Sequence, residues 1–201
     1  MKILVFTDGG GFKREDEGFD AVSVFRIFTE NPPSKDFQPL VNQEFVIERK
    51  TSAYAEIYAI AKALENVFLF VEEYKKPIKS VNIYTDSMLC YKSLTEWIYS
   101  WMKKSKDGTF YSSNGTPVAN QEEIKTAFSY MGKLRNRNIH TKFFHINSHT
   151  AQCKVKTLKK KFEKFNRCAV TDEEFLFYYL QNKKCDEAVK KSYEEYKIKK
   201  N

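Results

Sequence analysis

What the chain lacks narrows its class. No stretch approaches the roughly 20 consecutive apolar residues of a membrane-spanning helix. Lys2 is followed only by Ile3 to Phe6 before Thr7-Asp8, too short a run for the core of a secretion signal, so a cytoplasmic protein with no membrane partner is expected. Basic segments without a clear apolar face argue equally against a membrane-surface role. Cysteines number only four, Cys90, Cys153, Cys168 and Cys185, and none forms a CxxC pair; free thiols are expected rather than a disulfide framework. His145, His149 and Cys153 are spaced by four, with Cys168 beyond, which loosely resembles a zinc ligand set. His145, however, ends an apparent strand, and residues four apart on a strand lie well apart. No internal repeat is present. Acid is in deficit, with 26 Asp and Glu against 34 Lys and Arg, a formal net charge of +8. That balance favours a polyanionic partner such as nucleic acid.

What is present fits one globular domain over 1–201. Of 201 residues, 42% are hydrophobic and 15% aromatic, too apolar for a disordered chain and enough for a real core. Residues 2–8 read as a strand, broken by Gly9-Gly10-Gly11. Phe19 to Thr29 reads as a second strand and Phe45 to Ile47 marks a third, together an antiparallel meander. Thr51 or Ser52 caps a helix from about Ala53 to Tyr74, with Ile57, Ile60, Ala61, Leu64 and Phe68 at helical spacing. Val81 to Thr85 is a nearly unbroken apolar run, as expected of a strand covered on both faces. Asp86-Ser87 starts a helix toward Trp97 and Trp101, Asn120 to Asn136 reads as another, and Thr141 to Ile146 as a last strand. A strand–helix–strand order implies a parallel, right-handed crossover. The fold class is therefore α/β: a five-stranded mixed sheet, three antiparallel strands and then two parallel ones, flanked by helices.

Four carboxylates stand out against this framework. Asp8 and Asp86 each end an apolar strand, Glu56 opens the long helix, and Asp186 lies in a helical pattern near the C-terminus. One at a time they read as a turn residue, a helix-dipole partner, an N-cap and a solvated helix face. Gathered by the fold, they would supply the oxygen ligands that a hard divalent cation needs.

The motifs around them resemble, in order, those of type 1 ribonucleases H. Thr7-Asp8-Gly9-Gly10 resembles that family's opening motif, Thr51-Ser52-Ala53-Tyr54-Ala55-Glu56 its first-helix motif, and Tyr84-Thr85-Asp86-Ser87 its central-strand motif. Trp97-Ile98 with Trp101, followed by Asn114-Gly115 to Asn120, resembles the basic handle segment. Ser148-His149 corresponds to the catalytic-loop histidine, and Asn182 to Ala188 to the final helix. The resemblance implies an RNase H-like fold and an endoribonuclease that hydrolyses the RNA strand of RNA–DNA hybrids, leaving 5′-phosphate and 3′-hydroxyl ends. Another nuclease of the same fold acting on DNA, or a non-catalytic nucleic-acid-binding module, are the alternatives.

It also implies roles. Asp8, Glu56, Asp86 and Asp186 would hold two Mg²⁺ (or Mn²⁺) ions, with Asp8 bridging them, while His149 shuttles a proton or helps product leave. Two ions about 4 Å apart can activate the attacking water and stabilise the leaving oxygen. Gly9, Gly10, Ser52, Ser87, Trp97, Trp101, Lys103 and Lys104 would contact nucleic acid. A monomer is expected.

Two departures from the family pattern bear on substrate handling. Ala53 occupies a position where asparagine or glutamine is usual and cannot donate a hydrogen bond to a 2′-hydroxyl. The spacing from His149 to Asp186 is also long. It holds a basic insertion and an additional helix over 151–181; residues 151–170 carry seven cations against one acid, Glu163. The capping box Thr171 to Glu174 opens the additional helix. The insertion is either an added phosphate-binding surface or a solvated segment without direct contact.

Overall fold

Residues 1–14, 18–30, 38–74, 77–147 and 155–200 are described by the structure, a computed structural model. β1 (Lys2–Lys13), β2 (Phe19–Thr29) and β3 (Val41–Ile47) form the antiparallel meander. β4 (Ser80–Thr85) pairs parallel to β1, and β5 (His140–His145) parallel to β4. The order across the sheet is β3-β2-β1-β4-β5, mixed as expected. Between β3 and β4 runs α1 (Ser52–Glu73), capped by Thr51, whose Oγ1 accepts from the Tyr54 N–H.

After β4 come α2 (Met88–Lys92), a π-helical turn (Ser93–Trp97) and α3 (Ile98–Lys104). Then follow α4 (Gln121–Asn136), α5 (Val155–Asn166) and α6 (Asp172–Lys200). Among the described residues no helix is long and apolar enough to cross a membrane.

Strand alternation splits the apolar side chains between two faces. Ile3, Val5, Phe25, Ile27, Val81 and Ile83 meet Ile57, Ile60 and Leu64 of α1. Leu4, Phe6, Val22, Val24, Phe28 and Tyr84 meet α5 and α6 through Leu158, Phe162, Phe175, Tyr178 and Val189. Rings dominate this second face: Phe6 stacks on Tyr84 at 4.8 Å between centroids, and Tyr84 on Phe144 at 5.0 Å. Such pairs add about 0.5–1.5 kcal/mol each beyond their buried area.

The glycine triplet does not end β1, which pairs with β2 out to Lys13. Its glycines leave room for neighbours. A Cβ on Gly9 would lie 2.4 Å from the Glu56 nitrogen, one on Gly11 2.8 Å from the Ser52 nitrogen, and one on Gly10 2.6 Å from Val189. The missing side chains let the first turn of α1 and the middle of α6 close on opposite faces of one strand.

The additional helix expected after Thr171 is not separate. The Thr171 hydroxyl accepts from the Glu174 N–H and the Glu174 carboxylate from the Thr171 N–H, as the capping box requires. The helix it opens then continues unbroken through Asp186 to Lys200. Nor does the basic segment lack an apolar face: Leu158 and Phe162 of α5 are buried against the sheet. Asn166 at its end exchanges hydrogen bonds with both the N–H and the C=O of His145, each at 2.9 Å, and so ties α5 to the edge strand β5.

Candidate active site

Three structural decisions set the site. β1 carries Asp8 on its α6 face, in phase with Leu4 and Phe6. Its parallel neighbour β4 ends at Thr85, so Asp86 leaves the sheet beside Asp8's strand. The close approach of α1 at Gly9 puts Glu56 at the same end.

Charge coupling reports the convergence. Asp8 is 7% exposed. Burial, then the charge of Asp86, pushes its carboxyl up to about 7; Asp186 adds to the rise, while the Gly9 N–H, donating at 2.7 Å, and Lys190 oppose it. Glu56 is pushed up to about 8 by burial, then by Asp86 and Asp8. All four predicted carboxylates thus belong to one electrostatic cluster drawn from β1, α1, the end of β4 and α6. Among the described residues, no three or more His, Cys, Asp or Glu side chains form a ready-made metal cage.

Several neighbours were not singled out from sequence. Lys190 holds Asp186 Oδ2 at 2.7 Å, and Asn182, fully buried, places Nδ2 3.5 Å from Asp86 Oδ2. Both lie four residues from Asp186 on α6, and that spacing was the available signal. The Cys90 thiol points to Glu56 Oε2 at 3.9 Å; burial, followed by the Glu56 charge, pushes it up to about 12, so it remains a neutral donor. The His145 Nε2 lies 3.0 Å from the Asp86 carbonyl oxygen, and burial lowers its pKa. His149 and Cys153 lie outside the described residues, and with them the proposed proton shuttle and part of the zinc alternative.

The predicted contact residues divide. Ser87 is buried, and its Oγ caps α2 by accepting from the Cys90 N–H; it, rather than Asp86, is the cap. Ser52 is exposed at the start of α1. Trp97 is 37% exposed, whereas Trp101 packs against the core beside Phe110. Lys103 and Lys104 extend from the last turn of α3 into solvent.

The RNase H family profile matches residues 1–162. The chain belongs to the RNase H family. The match stops within α5, so the helix carrying Asp186 lies beyond it, consistent with the long insertion. Ribonuclease H of Neorickettsia sennetsu is 38% identical over 124 residues, which cover 60% of this chain and 67% of that protein. Ribonuclease H of Schizosaccharomyces pombe is 30% identical over 137 residues, 68% of this chain and 43% of that protein. The chain therefore spans about two thirds of the first relative and less than half of the second. The solution structure of the PFV RNase H domain superposes with a TM-score of 0.55 at 17% identity, covering 82% of this chain and 89% of that one. The foamy viral protease-reverse transcriptase in complex with RNA/DNA hybrid gives a TM-score of 0.55 at 14% identity, over 82% of this chain and 19% of that one. At these identities the likeness establishes the RNase H fold.

Proposed function

We propose that this protein is a metal-dependent ribonuclease H that hydrolyses the RNA strand of RNA–DNA hybrids, leaving 5′-phosphate and 3′-hydroxyl ends. One observation carries the reading: four carboxylates from separate elements share one end of the sheet, with two of them raised into the neutral range by burial and by the other acids. Acids forced together at a stability cost are a mark of a working site rather than of a structural one. The names of the curated relatives, and the hybrid bound by a neighbour of the same fold, support the substrate class.

The donor set fits Mg²⁺ or Mn²⁺. Its oxygens are hard, all four groups can carry charge, and their mutual repulsion is what a bound cation would relieve. Asp8, Glu56, Asp86 and Asp186 would hold two ions, which supply Lewis acidity toward water and toward the leaving oxygen. The chain's own residues do the positioning. The first turn of α1, pressed on Gly9, holds Glu56 in place, and Lys190 holds Asp186. Lys103 and Lys104 meet phosphates from the side of α3. Ser52 offers the exposed hydroxyl at the start of α1, where Ala53 offers none, so recognition of the 2′-hydroxyl rests on fewer side-chain donors than usual for the family.

Metal linkage gives a direct check of the cluster. Asp8 and Glu56 are raised in the folded state, so their stabilising contribution is complete below about pH 4 and is lost as pH rises through about 7 to 8. Mg²⁺ competes with those protons and will stabilise the protein more at pH 8 than at pH 5. At a hundredfold excess over Kd the gain is about 2.7 kcal/mol, roughly 5–10 °C in melting temperature for a chain of this size. Thermal unfolding at both pH values, with Mg²⁺ and with EDTA, measures it; an equal shift at both would count against the cluster. The substrate is tested by presenting labelled hybrid, duplex DNA and duplex RNA in Mg²⁺. Hybrid alone should be cut, and a preference for duplex DNA would refute the assignment.

A further inference from the structure

Beside the acids lies a cleft of about 590 Å³. Met88, two residues beyond Asp86, and His145, bonded to the Asp86 carbonyl, form the wall nearest the acids. The opposite wall is α5 and the turn after it, contributing Lys161, Lys164, Phe165 and Arg167. These three cations are exposed and, among the described residues, enter no ion pair. Lys159 on the same helix is by contrast neutralised by Asp172 at 2.6 Å. Phe165 is 44% exposed, yet its ring is fixed from behind by Tyr91 at 5.4 Å and His145 at 5.2 Å between centroids.

We propose that this cleft binds an unpaired nucleotide of a single-stranded tail flanking the hybrid, with phosphate on Lys161, Lys164 and Arg167 and the base against Phe165. The size favours a nucleotide over a bare phosphate, because it lies within the ~300–1,000 Å³ of ordinary small-molecule sites. The composition favours single-stranded over duplex nucleic acid. Cations tracking a backbone, combined with an aromatic face free to stack, are what single strands use, whereas a base inside a duplex has no face to offer. The mounting favours function over accident. Leu158 and Phe162 bury the other side of α5 in the core, and Asn166 ties its end to β5, so the cations and the ring are presented on a fixed support. The insertion would then recognise junctions where a hybrid meets a single strand and deliver them next to the acids.

The proposal rests on the hybrid reading for its substrate, but it is tested without cleavage. Fluorescence anisotropy in EDTA would compare a blunt hybrid with the same hybrid carrying a short single-stranded tail on either strand and at either end. Wild type should bind at least one tailed form on the order of tenfold more tightly. Phe165→Ala should remove that advantage and leave blunt-hybrid affinity unchanged. The ring is on the surface, so the variant is expected to fold, and its circular dichroism verifies this. Lys161→Gln with Lys164→Gln should also remove it and make the salt dependence of tailed binding shallower by about 0.7 in log–log slope per lost phosphate contact. Equal affinity for blunt and tailed hybrids would overturn the proposal, as would lysine variants that weaken both equally. Cleavage of blunt hybrid in Mg²⁺ is read separately: intact cleavage with no tail advantage sinks this inference alone, and absent cleavage with a tail advantage sinks only the catalytic reading.

Discussion

Asp86→Asn will lower hybrid cleavage by on the order of a hundredfold or more while leaving hybrid affinity in EDTA largely unchanged. Asp86 is the electrostatic centre of the cluster: after burial, its charge is the largest influence raising both Asp8 and Glu56. Asparagine keeps the shape and removes the charge, so binding of the duplex through α3 and α5 has no reason to fail. The same substitution relieves repulsion on two buried acids. The metal-free variant should therefore melt higher than wild type near pH 8, a stability gain set against lost activity. Cleavage gels, anisotropy and thermal unfolding on one preparation make three independent readings. Near-normal cleavage by the variant would remove Asp86 from the assigned role.

Gly9→Ala carries the largest expected effect on folding. The added Cβ would stand 2.4 Å from the Glu56 nitrogen, 2.6 Å from the Ala55 carbonyl carbon and 2.8 Å from the Glu56 Cα. All three are backbone atoms of α1, so no side chain can swing aside, and the helix itself must move off the strand. Overpacking of this kind costs about 3 kcal/mol or more, roughly 6–12 °C in melting temperature. Because the displaced atoms belong to Glu56, cleavage should fall even where the variant remains folded. Gly132, within α4, is the control. A Cβ there meets nothing within 4 Å, and alanine should stabilise by up to about 1 kcal/mol through helix propensity. A Gly9→Ala variant melting alongside wild type would contradict the packing account of the glycine triplet.

The sequence announced the acids better than their surroundings. Asp8 and Asp86 were legible because each ends a run of β-formers, and the start of α1 because Thr51 stands where a cap must. The triplet Gly9-Gly10-Gly11 was misread as a break because local rules count glycine as a turn signal. What decides there is tertiary: β1 must be bare for α1 and α6 to reach it, and no local rule sees a neighbour that arrives from elsewhere in the chain. On α5, seven cations around Leu158 and Phe162 masked a buried face that only the adjoining rings of Tyr84 and Phe144 reveal. The continuity of α6 could have been read, since neither glycine nor proline separates Leu180 from Asp186. Trp97 and Trp101 share a helix face in sequence, but packing against Phe110 separates them in role.

Most directly, the account is tested by end-labelling each strand of one RNA–DNA hybrid in turn and incubating with Mg²⁺ or EDTA. Cleavage of the labelled RNA in Mg²⁺ alone, with the DNA strand intact and the new ends bearing 5′-phosphate and 3′-hydroxyl, is the predicted result. Cleavage of the DNA strand, or RNA cleavage that persists in EDTA, would contradict it.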